Sequence, residues 1–309
     1  MSTSVTQYLY LQTAIEKGSL RAAAGVLGVS QPTLSIQIRK LEEELNVLLL
    51  KRTATGVGPT PEAVQLLPLI DKVIRAQAAL VRRAAELRSP TTGTVKVGVI
   101  SHFNYYVAPQ ILSEVQTTYP LATFEIIESG SVKIMDLVLS GELDVGLIAR
   151  TPDIPEVPEG IRFVDLAAGR LNVCLSGDDP LTASDTVPMD ALRGRSFVAH
   201  SPQTTMGAIF EHYRAPYELT AVTFTDSGPS TPRLVASTHS PAFATSSDFR
   251  VASENLDVVY RPLTDPPTMV ILSAVLRSGE QSTTLVRALT QELRRRRKES
   301  QWPPGFAAV

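Results

Sequence analysis

The chain has 309 residues, 43% hydrophobic and 19% charged, with a formal net charge of −2, which suits a globular protein of two or three domains. A lone cysteine, Cys174, excludes an internal disulfide framework and points to a reducing, cytoplasmic setting. The start "MSTSVTQYLYLQTAIEKG" lacks a signal-peptide pattern, no run of about 18 apolar residues offers a membrane span, and charge is uneven: residues 1–90 carry 11 Lys+Arg against 7 Asp+Glu, the remainder 18 against 24.

Tyr8, Leu11 and Ile15 form the stripe of a first helix, with Gly18 as its stop and Ser19 as cap of the next. The second helix is rich in alanine (Ala22, Ala23, Ala24), which permits close packing, and ends near Gly28. In "AAAGVLGVSQPTLSIQIRKLE" (22–42) two apolar stripes meet at Gly28-Val29-Ser30. That break is too short for a linker and too abrupt for one helix, so it predicts a helix–turn–helix. Ser30 caps the third helix, with Pro32 in its first turn. Leu34, Ile38, Leu41 and Leu45 recur at spacings of 4, 3 and 4 as one buried stripe. Pro32, Ser35, Ile36, Arg39 and Lys40 fall on the opposite face. Such a partly basic face either enters a major groove or is an ordinary solvated surface.

"LLLKRTATGVGPT" (48–60) predicts a hairpin wing, with Lys51 and Arg52 placed to meet phosphates. Thr60-Pro61-Glu62 then opens a long helix. Along it Leu66, Ile70, Val73, Gln77, Leu80, Ala84 and Leu87 alternate spacings of 4 and 3. That period marks a coiled-coil seam, with Gln77 as the polar residue that fixes register, or else an ordinary amphipathic helix. Pro68 predicts a kink or a later start, and "RSPTTGT" (88–94) a hinge. Beyond it "TVKVGVI", a helix over about 107–118, "ATFEIIE" and "IMDLVLSGELDVGLIA" read strand–helix–strand–helix–strand, an α/β pattern with a parallel sheet. "LNVCLSG", "SFVAH" and "TMVILSAV" are further strands before a last helix from about Thr283 to Lys298, whose "RRRRK" reads as its cationic end.

Residues 18–52 closely resemble the DNA-binding region of LysR-type transcriptional regulators: the Ala-rich second helix, the Ser-Gln-Pro entry and the Leu-Glu-Glu-Glu-Leu exit. The resemblance continues through the linker helix and "SGELDVGLIA" and covers nearly the whole chain. It implies a winged helix–turn–helix, a dimerising linker helix, and a two-lobed effector domain built like a periplasmic binding protein, with parallel and mixed sheets flanked by helices. The domains expected are 1–60 (DNA-binding), 61–88 (linker), 89–94 (hinge) and 95–309 (effector). In the last, lobe I is 95–166 with 268–309 and lobe II is 167–267; the crossings fall near Leu166 to Gly169 and near Pro266-Pro267. The chain departs from the family at Leu48-Leu49-Leu50, at Gly58-Pro59 in the wing, and at "STHSPAFATSSD" (237–248) in the second lobe.

The expected DNA-binding residues are Gln31, Pro32 and Ser35 near base edges, Ile36 packed on a thymine methyl, Arg39, Lys40 and Arg52 on phosphates, and Thr33 beside them. The effector site is expected beyond the carboxyl ends of the strands. There Ser101 and His102, Ser129 to Ser131, and Ser201, Gln203, Thr204 and Thr205 stand at or before helix starts. These clusters hold a carboxylate or sulfonate by neutral hydrogen bonds, or are plain N-caps. Phe103 and Phe243 either wall an aromatic ring or pack in a core.

The partners expected are an inverted-repeat operator in double-stranded DNA, a small-molecule effector, a second copy through the linker helix, a tetramer, and RNA polymerase. No cofactor, metal or membrane partner is expected. Against an enzyme stand the absent G-x-x-x-x-G-K-[ST] and G-x-G-x-x-G motifs and four histidines without metal-ligand spacing. Ser101-His102 after the first strand fails as a nucleophile–base pair, because neighbours on an extended chain face opposite ways. The rival readings are a solute-binding-like sensor without DNA function, which the N-terminal helices argue against, a coiled-coil interaction protein, which the alternating strands argue against, and a small-molecule enzyme on the same two-lobed fold.

Overall fold

The computed structural model describes the chain apart from residues 1–2, 54–55, 89–91, 153–156, 246–254, 266–268, 280–281, 299–301, 303–305 and 309, and apart from the side chains of residues 52, 82, 83, 85–88 and 298. It divides into two compact units, 1–85 and 86–309. The first holds α1 (Val5–Lys17), α2 (Leu20–Leu27), α3 (Gln31–Leu45), the hairpin β1 (Leu50–Thr53) and β2 (Gly56–Pro59), and most of α4 (Pro61–Arg88). The starts of α2 and α3 carry the expected caps, and α1 carries one outside those expectations. Ser4 and Gln7 bond reciprocally at α1, and Ser19 and Ser30 accept from Ala22 and Thr33 N–H at α2 and α3. The tight turn between α2 and α3 needs Gly28 at φ +64°, a left-handed value that glycine adopts without steric cost.

Leu34, Ile38 and Leu41 of α3 meet Leu11, Ala14, Ala23 and Ala24 in one core, closed from the far side by Leu49, Ala63 and Ile70. The wing is anchored to α3 by Glu42, whose Oε1 accepts from Leu49 N–H at 2.7 Å and Leu50 N–H at 3.0 Å. Helix α4 runs through Pro68 without a later start. The lost hydrogen bond falls to the Val64 carbonyl, on the exposed side where solvent can take it. Leu66, Ile70 and Ile74 pack into the core of this unit, so Leu66 and Ile70 do not belong to a free seam. The other seam positions Val73, Gln77, Leu80 and Ala84 are exposed; the side chain of Leu87 lies outside the described residues.

The second unit is built from β3 (Gly93–Val99), α5 (Ser101–Tyr106), α6 (Ala108–Thr118), β4 (Ala122–Glu128), α7 (Ser131–Leu139), β5 (Val145–Arg150) and β6 (Ile161–Ser176). Then come β7 (Ser196–Ala199), α8 (Thr205–Arg214), β8 (Thr220–Phe224), α9 (Thr231–Thr238), β9 (Ala242–Thr245), β10 (Val258–Pro262), β11 (Met269–Arg277), α10 (Thr284–Lys298) and β12 (Phe306–Ala308). The main sheet runs β10-β6-β11-β5-β3-β4. β3 is parallel to β4 and β5, while β11 is antiparallel to β5 and β6.

The first crossing between lobes is not a loop. Residues Ile161–Arg170 of β6 pair with β11 in lobe I, and Leu171–Ser176 of the same strand pair with β9 and β10 in lobe II. The second crossing, at Pro266-Pro267, the hinge residues 89–91 and residues 246–248 of the divergent segment lie outside the described residues. Arg295 and Arg296 of the "RRRRK" run tie α10 to Glu114 and Gln110 on α6.

Candidate functional site

The outward face of α3 follows from its buried stripe. Gln31, Pro32, Thr33, Ile36, Arg39 and Lys40 are exposed, and Ser35 is half-buried. The Thr33 hydroxyl is 2.7 Å from that of Ser30, so the cap and the first turn are held together. Arg39 makes no ion pair among the described residues, and Lys40 stands 3.9 Å from Glu44, a distance worth little in water. In the wing Lys51 is exposed opposite Gly58, and Arg52 stands opposite Val57; the Arg52 side chain lies outside the described residues.

Between the lobes of the second unit lies a cavity of about 520 Å³. Ser101, His102, Ser129, Ser131, Ser201, Gln203, Thr204 and Phe243 line it. Phe103 does not. Ser101, His102 and Phe103 open the helix α5 instead of extending β3, and the helical turn sends Phe103 into the main core at 0% exposure. The same turn removes the premise that Ser101 and His102 lie on an extended strand. The Ser101 hydroxyl donates to the Glu128 carboxylate instead, and His102 packs 5.0 Å from Tyr106 and 5.6 Å from Phe306, centroid to centroid. Phe243 reaches the cavity but also lies 4.9 Å from Phe197 in the core.

The helix starts are less open than the sequence suggests. Thr204 is a plain cap, accepting from Gly207 N–H at 3.0 Å and donating to the Ser201 carbonyl at 2.9 Å. Val132 N–H, in the first turn of α7, donates across the lobes to the Gln203 carbonyl at 3.2 Å. That approach is close enough that a Cβ on Gly130 would stand 2.4 Å from the same oxygen. Beside it the buried Thr205 hydroxyl donates to the Ala149 carbonyl at 2.6 Å and lies 2.8 Å from the Ser131 hydroxyl. Lobe I and lobe II are thus clasped at the wall of the cavity.

Charge also differs from the expectation of a neutral lining. Glu128, Asp226 and Lys133 all reach the cavity. Asn104 Nδ2 donates to Glu128 at 2.7 Å and Ser201 N–H to Asp226 at 3.1 Å, so both carboxylates are oriented by neutral donors. Deeper in, His200 Nε2 is 3.0 Å from the Thr231 hydroxyl. Sequence reading missed Glu128, Lys133, His200, Asp226, Thr231 and Tyr260 as lining residues. Glu128 and His200 were within reach, since each adjoins a strand end already singled out. Thr231 and Tyr260 carry no local signal.

Comparison with known proteins bears on both halves. Residues 5–64 match the family model described as bacterial regulatory helix-turn-helix protein, lysR family, and residues 88–298 match the LysR substrate binding domain. The chain is 34% identical over 156 residues to a probable hydrogen peroxide-inducible genes activator of Streptomyces viridosporus, covering 50% of each chain. It is 30% identical over 189 residues to the DNA-binding transcriptional dual regulator OxyR of Escherichia coli strain K12, covering 61% of each. These matches span half to about three fifths of the relatives' length. In fold it is similar to full-length CbnR complexed with target DNA, at TM-score 0.63 and 20% identity, over 94% of this chain and 99% of that one.

Proposed function

The chain belongs to the LysR family of bacterial helix-turn-helix regulatory proteins, and on that premise we propose that it is a transcriptional regulator that binds specific DNA and is switched by a small organic molecule in the interlobe cavity. The observation that carries the DNA half is α3 itself. It buries Leu34, Ile38 and Leu41 and turns Gln31, Pro32, Thr33, Ile36, Arg39 and Lys40 to solvent. A helix held so rigidly, with cations beyond its first turn, fits a major groove with bases met by the first turn and phosphates by Arg39, Lys40 and the wing.

We read residues 1–60 as the DNA-binding domain, 61–88 as linker, 89–94 as hinge and 95–309 as effector domain. One recognition helix covers few base pairs, so two copies must be joined. The exposed stripe Val73, Gln77, Leu80 and Ala84 of α4 is the surface we assign to the dimer. Pairing of dimers into a tetramer and contact with RNA polymerase extend the same reading, which places the protein in the cytoplasm with its DNA. Among the described residues no helix is long and apolar enough to cross a membrane.

The cavity's volume falls in the range of small-molecule sites. An acidic effector, carboxylate or sulfonate, is best met with its anionic end toward Lys133 and away from Glu128 and Asp226, which line the same cavity. The relatives named for hydrogen peroxide raise a second reading, a thiol response. Against it stands the chain's one cysteine, Cys174, which is buried at 0% exposure within β6 and has no second cysteine in the chain to pair with.

The test is enrichment of duplexes from a random-sequence pool by the full-length chain. The expected product is an inverted repeat whose half-sites lie about one helical turn, or a multiple of it, apart. Recovery of unenriched DNA overturns the reading.

A further inference from the structure

Ile36 is 61% exposed in the middle of the outward face of α3. Pro32 and Thr33 precede it by one turn, and Arg39 and Lys40 follow it by one. The fold has no use for it there, since the buried stripe of the same helix is Leu34, Ile38 and Leu41. An aliphatic side chain left in water gains free energy only when an apolar surface covers it.

Its neighbours say what that surface is. Cations one turn away suit an apolar spot set among phosphates. In a major groove the four ordinary bases present donors and acceptors, and thymine alone adds a methyl group, at C5. Set against any other base edge, Ile36 desolvates a polar group and returns no hydrogen bond.

We propose that Ile36 is a specificity residue that reads thymine through its C5 methyl and penalises a polar edge at that position. The inference rests on the assignment of α3 as the DNA-reading helix, and its test separates the two. Uracil differs from thymine by that methyl alone. In a site enriched by the wild-type chain, each thymine of a half-site is replaced in turn by uracil, and wild type and Ile36→Ala are titrated against every duplex. At one position per half-site wild type loses roughly fourfold in affinity, the value of about one buried methyl. Ile36→Ala binds thymine and uracil equally there and keeps the wild-type response at all other positions. Ile36→Val, which keeps a branched aliphatic group, retains a smaller preference for thymine.

Wild type indifferent to uracil at every position overturns the inference and leaves α3 as the reading helix. So does an equal loss by wild type and Ile36→Ala at the same position. If the wild-type chain enriches no sequence at all, both ideas fall. Because Ile36 lies outside the core, unchanged thermal unfolding of Ile36→Ala accompanies the expected result.

Discussion

Thr205 illustrates how much one hydroxyl can hold. Buried at the wall of the cavity, it joins the Ala149 carbonyl and Ser131 of lobe I to the start of α8 in lobe II. Thr205→Val keeps the shape and leaves two buried polar groups without that partner, so it should destabilise the second unit by about 1–3 kcal/mol in denaturant unfolding. A loss under a few tenths would mean the clasp is slack. Arg39 makes a contrasting case, because it is exposed and unpaired by any carboxylate among the described residues. Arg39→Ala should leave stability unchanged, weaken all DNA sequences alike and flatten the salt dependence by roughly one unit in a gel-shift titration. A selective loss on one sequence would move Arg39 from phosphate to base. At this scale the cavity was partly legible: polar residues next to strand ends were found because chain position alone puts them there. Of the two fates open to Phe103 the core one holds, and its direction depends on α5 beginning at Ser101, which no local residue announces. Thr231 and Tyr260 come from distant segments that only the fold brings together.

At the scale of elements, the stripe of α1 and the caps and stripes of α2 and α3 were legible, because each is decided within a few turns. Strand β6 was read only in its second part, since its 16 residues pair with lobe I over one stretch and lobe II over the next. Helix α4 was read with one continuous seam, yet its early members are consumed by the core of the DNA-binding unit. The exposed remainder makes a sharp prediction. Leu80 is 69% exposed, so Leu80→Glu should leave each protomer folded while placing like charges across the proposed seam. Sedimentation should then show monomers with DNA binding lost; an intact oligomer that still binds would remove the seam from α4. The wing offers another check, since Glu42 holds Leu49 and Leu50 N–H. Glu42→Ala should loosen the hairpin and raise its amide exchange well above that of α3.

For the whole molecule, α4 begins in one compact unit and ends at the start of the other. The first unit carries the net positive charge of the sequence's head and the second most of its acid, an arrangement that favours DNA contact at one end only. An effector can act on such a chain only by binding one arrangement of the lobes or protomers better than another. The interlobe clasp lies where a cavity ligand would alter that balance. The central claim, that two copies of α3 read one DNA site together, is met most directly by hydroxyl-radical footprinting of an enriched duplex with the full-length chain. Wild type should protect two half-sites about one turn, or a multiple of it, apart on the same face of the duplex, and Leu80→Glu should lose both together. One protected patch of a single helix's length, or two that survive Leu80→Glu, would contradict it.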